Sequence, residues 1–430
     1  MFCQFEVLRH CFPPSVRHIL EELPDSLDET YERILREIRK SNQGLAHRLM
    51  QCLVAAVRPL QVKELAEVLA FDFNEEGIPK LDQNWRWEDQ EEAVMSTCSS
   101  LVAIVNDGDS RIVQFSHFSV KEFLTADRLA EPIRDVSRYH IELEAAHTIL
   151  AQACIGVLPR LDDHVDRDNI KEFPLAPYSA EYWPRHAQFG SVSARIEGGM
   201  ECLFDEDKPH FATWLWIYND YHDKRMSTMR PEKPRTAPLH HAAWFGFRDL
   251  AAHLITKHPE CVNAGSDWGT TPMYSAAVAG NTDILLLLLE HDAEVDIRNV
   301  NGWTSLHCAS SSGTLSAGKC LLDHGADINA REVDGWTPLY TCVLHATSER
   351  YVEFAQMLLE RGAVIDARDN RGRTSLHVAA EEGRIQAARL LLVHGADVNA
   401  RDHLGETPSH YTRQQEIIEL LSEYGAESVK

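Results

Sequence analysis

Gly313-Thr314-Leu315-Ser316-Ala317-Gly318-Lys319-Cys320 comes within one position of GxxxxGK[ST], the loop whose backbone amides cradle phosphate. Such a loop follows a strand, whereas a helix is expected before Gly313. The position that should hold Mg2+ through a hydroxyl carries Cys320, a soft ligand ill-matched to a hard cation. The 22 histidines prompt a search for metal ligands. Neither HExxH nor a CxxC pair occurs, and the side chains of His240 and His241 diverge if they lie on a helix. No GxSxG elbow or other nucleophile arrangement is found. These residues predict a non-enzymatic protein with no catalytic residues, no metal site, no cofactor and no small-molecule substrate.

The spacing of His240, His307, His377 and His410 explains them differently. They close a phrase that reads Ala237-Pro238-Leu239-His240, Thr271-Pro272-Met273-Tyr274, Thr304-Ser305-Leu306-His307, Thr337-Pro338-Leu339-Tyr340, Thr374-Ser375-Leu376-His377 and Thr407-Pro408-Ser409-His410. Successive copies are 34, 33, 33, 37 and 33 residues apart. Small residues, a loop glycine (Gly246, Gly280, Gly313, Gly383), an apolar helix and a turn such as His394-Gly395-Ala396-Asp397 follow. A period near 33 with this phrase resembles the ankyrin repeat, and the likeness covers residues 236–430 as six repeats. One such unit cannot bury its apolar face alone, so neighbours must stack.

The resemblance implies roles. The imidazoles of His240, His307, His377 and His410 and the hydroxyls of Thr304, Thr337, Thr374 and Thr407 would be structural. Hairpin tips and first helices would line a concave face that reads a protein partner. Counted from the phrase, those positions hold Trp244, Phe245, Trp268, Trp303, Trp336, Glu381 and Glu382. Trp303 and Trp336 occupy the same place in successive repeats. Tryptophan favours interface hot spots, yet packing between hairpins explains it equally well. The longer fourth repeat is expected to project its extra residues, Leu344 to Arg350, from one face. The shortened last repeat, with Arg413-Gln414-Gln415-Glu416, reads as a cap facing water.

Before the array, residues 1–40 read as helices, including one opened by Ser26 with Glu29 three positions on. Residues 41–139 read as helices at 44–57, 62–70 and 89–99, then a hairpin whose strands flank Asn106-Asp107-Gly108-Asp109-Ser110. Three helices and a wing suggest a winged helix. Leu23-Pro24-Asp25-Ser26-Leu27-Asp28-Glu29-Thr30-Tyr31 and Phe115-Ser116-His117-Phe118-Ser119-Val120-Lys121-Glu122-Phe123-Leu124 resemble the region after the NACHT ATPase module of fungal NOD-like receptors. That likeness implies that a NACHT module is missing here and that His117 would face its nucleotide in the resting state. The competing reading of His117 is a cap on the helix 119–129. Residues 140–229 read as further helices rich in aromatics, expected to cover the open edge of the first repeat. The Pro-rich stretch 230–235 reads as a linker.

The formal net charge is −24, and 15 basic against 26 acidic residues lie from Ala237 onward. An acidic wing and the acidic start of helix 89–99 argue against nucleic-acid binding. The ten scattered cysteines read as reduced thiols, and no apolar run approaches a membrane span. We expect a mainly α, cytoplasmic interaction protein: a winged-helix and helical region followed by an ankyrin solenoid. The two forms it could take are the sensing or scaffolding part of a NOD-like receptor and a free-standing ankyrin adaptor.

Overall fold

The computed structural model describes residues 26–73, 78–81, 90–98, 100–108, 110–131, 135–161, 165–166, 169–222 and 236–427. The helices expected before Pro24, the wing residue Asp109 and the linker 230–235 lie outside the described residues. The chain divides into two units, Met1–Lys233 and Pro234–Lys430.

In the first unit, helix Leu27–Glu37 starts where Ser26 accepts a hydrogen bond from the Glu29 amide at 3.2 Å, and it buries Tyr31 and Leu35. The three helices of the winged helix are Gln43–Ala55, Val62–Leu69 and Gln90–Cys98. Its hairpin is formed by Val102–Asp107 and Ser110–Phe115. A further strand, Leu60–Gln61, pairs antiparallel with Ser110–Phe115, with Leu60 opposite Val113. Two residues are too few to announce a strand by alternation, which is why the sequence missed it. The helix expected at 119–129 is Phe118–Leu124, and a 3-10 turn at Asp127–Leu129 follows it. It ends where the Thr125 amide and hydroxyl both return to the Lys121 carbonyl.

Helices Leu143–Val157 and Ala176–Ala187 form the next layer of this unit. Several aromatic residues of 140–229 pack together in the core of the first unit. Trp214 is fully buried, its ring centroid 5.6 Å from Trp183 and 5.4 Å from Phe204. Its indole N–H donates to the Ala180 carbonyl at 3.0 Å, so the one polar atom of the ring is satisfied.

The second unit is a stack of helix pairs: Pro238–Phe245 with Arg248–Lys257, Pro272–Ala279 with Thr282–Glu290, and Ser305–Ser312 with Leu315–Asp323. Pro338–Leu344 with Glu349–Glu360 and Ser375–Glu381 with Ile385–Val393 continue it. In the last repeat the first helix shrinks to a 3-10 turn, Pro408–His410, before Gln415–Glu423. Arg413, Gln414, Gln415 and Glu416 are exposed.

The phosphate-loop look-alike is split by this architecture. Gly313 ends one helix with φ of 65°, and Gly318 lies inside the next. A Cβ on Gly318 would collide with the Phe354 ring, so its glycine serves close helix packing. Of the extra residues of the fourth repeat, 347–350 are exposed, as expected, and 344–346 are half-buried. The insertion lengthens the second helix at its start, and Tyr351, only 7% exposed, donates its hydroxyl to the Ser311 carbonyl of the preceding repeat at 3.2 Å. Arg350 lies over the Tyr351 ring and donates to its hydroxyl. An aromatic side chain gains more from burial than from solvent, which draws Tyr351 inward while the residues just before it stay in water.

Candidate functional site

The site is built on the repeated phrase. In Thr304–His307, Nδ1 of the imidazole takes the Thr304 amide at 3.2 Å and lies 2.9 Å from its hydroxyl, closing a reciprocal cap. With Nδ1 accepting, Nε2 carries the proton and reaches the Trp336 carbonyl of the next repeat at 3.1 Å. His377 repeats the arrangement with Thr374 and the Glu406 carbonyl, and His410 caps Thr407. Burial holds the His307 pKa down at about 4 and lowers those of His377 and His240, so all three are neutral in the array. In the fourth repeat Thr337 accepts from the Tyr340 amide, and the Tyr340 hydroxyl donates to Asp369 at 3.1 Å instead. In the first repeat Ala237 offers no hydroxyl, and His240 bonds only forward, to the Thr270 carbonyl at 2.7 Å.

Each hairpin tip is locked in the same way. The side chain three places before the tip glycine accepts two amides of its own tip. Asn299 takes those of Asn301 and Trp303, Glu332 those of Asp334 and Trp336, and Asp369 those of Arg371 and Arg373, all within 2.9 Å. Neighbouring tips are joined by backbone bonds, Val300 N–H to the Trp268 carbonyl and Val333 N–H to the Asn301 carbonyl, each 3.0 Å. Side chains on these tips therefore stand on a fixed backbone before any partner arrives.

Among the expected partner-reading residues, Trp244 on the first helix and Trp268 on the following tip are 47% and 63% exposed. Phe245 is half-buried beside His241 and Phe247. Trp303 and Trp336 are half-buried, and each rests on its own repeat. Trp303 lies 5.9 Å from the His307 ring, and Trp336 stacks on Tyr340 at 5.2 Å and 21°. Trp268 precedes its tip glycine whereas Trp303 and Trp336 follow theirs, so the three are not equivalent positions. Glu381 is bound to Arg373 at 2.9 Å, and Arg373 also holds buried Asp369. Glu382 lies 3.5 Å from Arg384.

The sequence reading overlooked Val300 and Val333, 58% and 59% exposed on the tips after Trp268, and Leu404, 81% exposed on the last tip. Their place relative to the tip glycine was the available signal. It also overlooked Arg373, which follows its glycine just as the two tryptophans follow theirs.

His117 stands outside the array, as the cap of Phe118–Leu124. Its Nδ1 accepts from the Ser119 amide at 3.3 Å and lies 2.6 Å from the Ser119 hydroxyl, which in turn meets the Tyr31 hydroxyl at 2.7 Å. The two phrases that carry the receptor resemblance are thus joined in space through Tyr31, Ser119 and the Tyr31–Phe123 ring contact. Phe118, 72% exposed, lies against the His117 ring. Among the described residues no group of three or more His, Cys, Asp or Glu side chains is placed to hold a metal ion, and no helix is long and apolar enough to cross a membrane.

Comparison with known proteins adds two families. Overlapping stretches from 214 to 430 match ankyrin repeats, and residues 31–133 match the winged helix domain described for GPI inositol-deacylase. Azaphilone pigments biosynthesis cluster protein L of Monascus ruber is 31% identical over 297 residues, 64% of this chain and 61% of that protein. The chain thus spans less than two thirds of that relative's length. BCL-6 corepressor-like protein 1 of Mus musculus is 38% identical over 64 residues, 15% of this chain and 4% of its own. Ankyrin repeat domain-containing protein 13C of Xenopus tropicalis is 29% identical over 85 residues, 19% of this chain and 16% of its own.

Proposed function

Because the chain belongs to the ankyrin-repeat family, which accounts for residues 214–430, we propose that it is the partner-binding part of a NOD-like receptor, sensing or scaffolding through its array. The observation that carries the binding half of this reading is the exposure of Trp244 and Trp268, 47% and 63%, on a backbone already locked by hydrogen bonds. A large ring that is left in water on a rigid support gives up little conformational freedom when a partner buries it. Trp303, tilted against the His307 ring, and Trp336, stacked on Tyr340, brace the first helices of their own repeats.

The receptor half rests on the winged-helix match at 31–133 and on the resemblance of the Tyr31 and His117 phrases to the NACHT-associated region. With Nδ1 spent on its cap, His117 has Nε2 left to meet a nucleotide-binding module. That role requires a reading frame extending upstream into a phosphate loop.

The binding half is tested by affinity capture with the full chain, comparing wild type with W244A/W268A and with W303A/W336A. The first pair should lose the captured protein and melt as wild type does. The second should lower the melting midpoint as well, because two half-buried rings packed on their own helices are removed. Retention of partner by W244A/W268A contradicts the proposal.

A further inference from the structure

Three side chains in the first unit form a chain of hydrogen bonds that the binding role does not use. The Val57 amide donates to the Tyr178 hydroxyl at 3.2 Å, that hydroxyl lies 2.9 Å from His186 Nε2, and His186 Nδ1 lies 2.8 Å from His147 Nδ1. Val57 follows the helix Gln43–Ala55 of the winged helix, Tyr178 and His186 are on Ala176–Ala187, and His147 is on Leu143–Val157.

Hydrogen-bond accounting fixes where the protons are. Tyr178 and His186 are fully buried, so the tyrosine proton needs an acceptor, and His186 Nε2 is the one in reach. A neutral His186 with Nε2 accepting carries its proton on Nδ1 and donates it to His147 Nδ1. His147 then holds its own proton on Nε2. Burial favours these neutral forms, depressing the pKa of His186 to about 3 and lowering that of His147, with Lys121 adding to the second effect.

We propose that Tyr178, His186 and His147 are a proton-sensitive clasp that fastens the winged helix to the two helices after it and opens when His147 is protonated. The new proton can go only to Nδ1, where it would face the Nδ1–H of His186 across 2.8 Å. Two donors cannot share that contact, and the His147 ring must leave its stack on Phe189, now at 4.1 Å. The charged groups around the clasp do not relieve this. Lys121, which donates to the Val54 carbonyl, repels the new charge. Glu144, on the helix of His147, is engaged by Ser191 and Arg195. Arg58 lies over the Tyr178 ring and is paired with buried Glu64.

The test is hydrogen exchange of the full chain by mass spectrometry at pH 7.5 and 5.5, corrected for the intrinsic pH dependence. Loss of one buried hydrogen bond should raise opening of peptides from 143–157 and 176–187 by about fivefold in wild type. His147→Gln keeps an acceptor for His186 but cannot titrate, and its exchange there should be the same at both pH values. Tyr178→Phe frees His186 to take the other tautomer and accept from protonated His147, so this variant should lose the pH response even though it lacks a hydrogen bond. A wild-type chain without the rise, a His147→Gln chain that keeps it, or a Tyr178→Phe chain that responds as wild type does each overturns the clasp.

Discussion

At the scale of single residues, the repeat phrase works because one imidazole serves two repeats. His307 closes the cap of its own helix through Nδ1 and ties down the next tip through Nε2. The first repeat keeps only the second half of this device, because Ala237 stands where the others have threonine. Replacing Ala237 with threonine should restore the cap of His240 and stabilise the array by about 1 kcal/mol, read as a raised urea midpoint with the slope unchanged. A lower midpoint would show that the site cannot take the hydroxyl. The positions of these residues were legible in the sequence because the phrase recurs in register. Exposure was not. Trp268 and Trp303 look alike as letters, yet one projects from the tip and the other lies back on a helix, because they stand on opposite sides of a glycine.

At the scale of elements, caps and turns announced most helices, and the periodic glycines marked their ends. What could not be read was how an irregular segment would settle. The insertion of the fourth repeat has no counterpart in its neighbours, so no register foretold that Tyr351, the residue after it, would be buried against the third repeat. Tyr351→Phe should cost about 1 kcal/mol through the lost hydroxyl. Tyr351→Ala should cost about 3 kcal/mol or more by opening a cavity. Equal midpoints for the two variants in thermal melts would assign the whole effect to the hydroxyl. The strand Leu60–Gln61 escaped for the opposite reason, being set wholly by its pairing with Val113 and Ile112.

At the scale of the whole molecule, neutral buried histidines make the array sensitive to acid. The unfolded chain takes up protons near the ordinary histidine value of about 6.5, whereas His307 resists until about 4, and His377 and His240 are lowered too. Their contribution is complete above pH 6.5 and is lost progressively as the pH falls towards 4, because the unfolded state then binds more protons. The melting midpoint of the array should therefore drop by several degrees between pH 7 and pH 5, and a midpoint independent of pH over that range would contradict the assignment.

The tyrosine staple between the third and fourth repeats has a mechanical side. The repeats are joined in series, so a pull on both ends of the array loads every junction equally, and the junction with the most cross-links yields last. The Tyr351 hydroxyl bond to the Ser311 carbonyl adds a side-chain cross-link to the junction of the third and fourth repeats. Drawn out in an optical trap, the array should peel from its ends and pause with these two repeats still folded, and Tyr351→Ala should erase the pause.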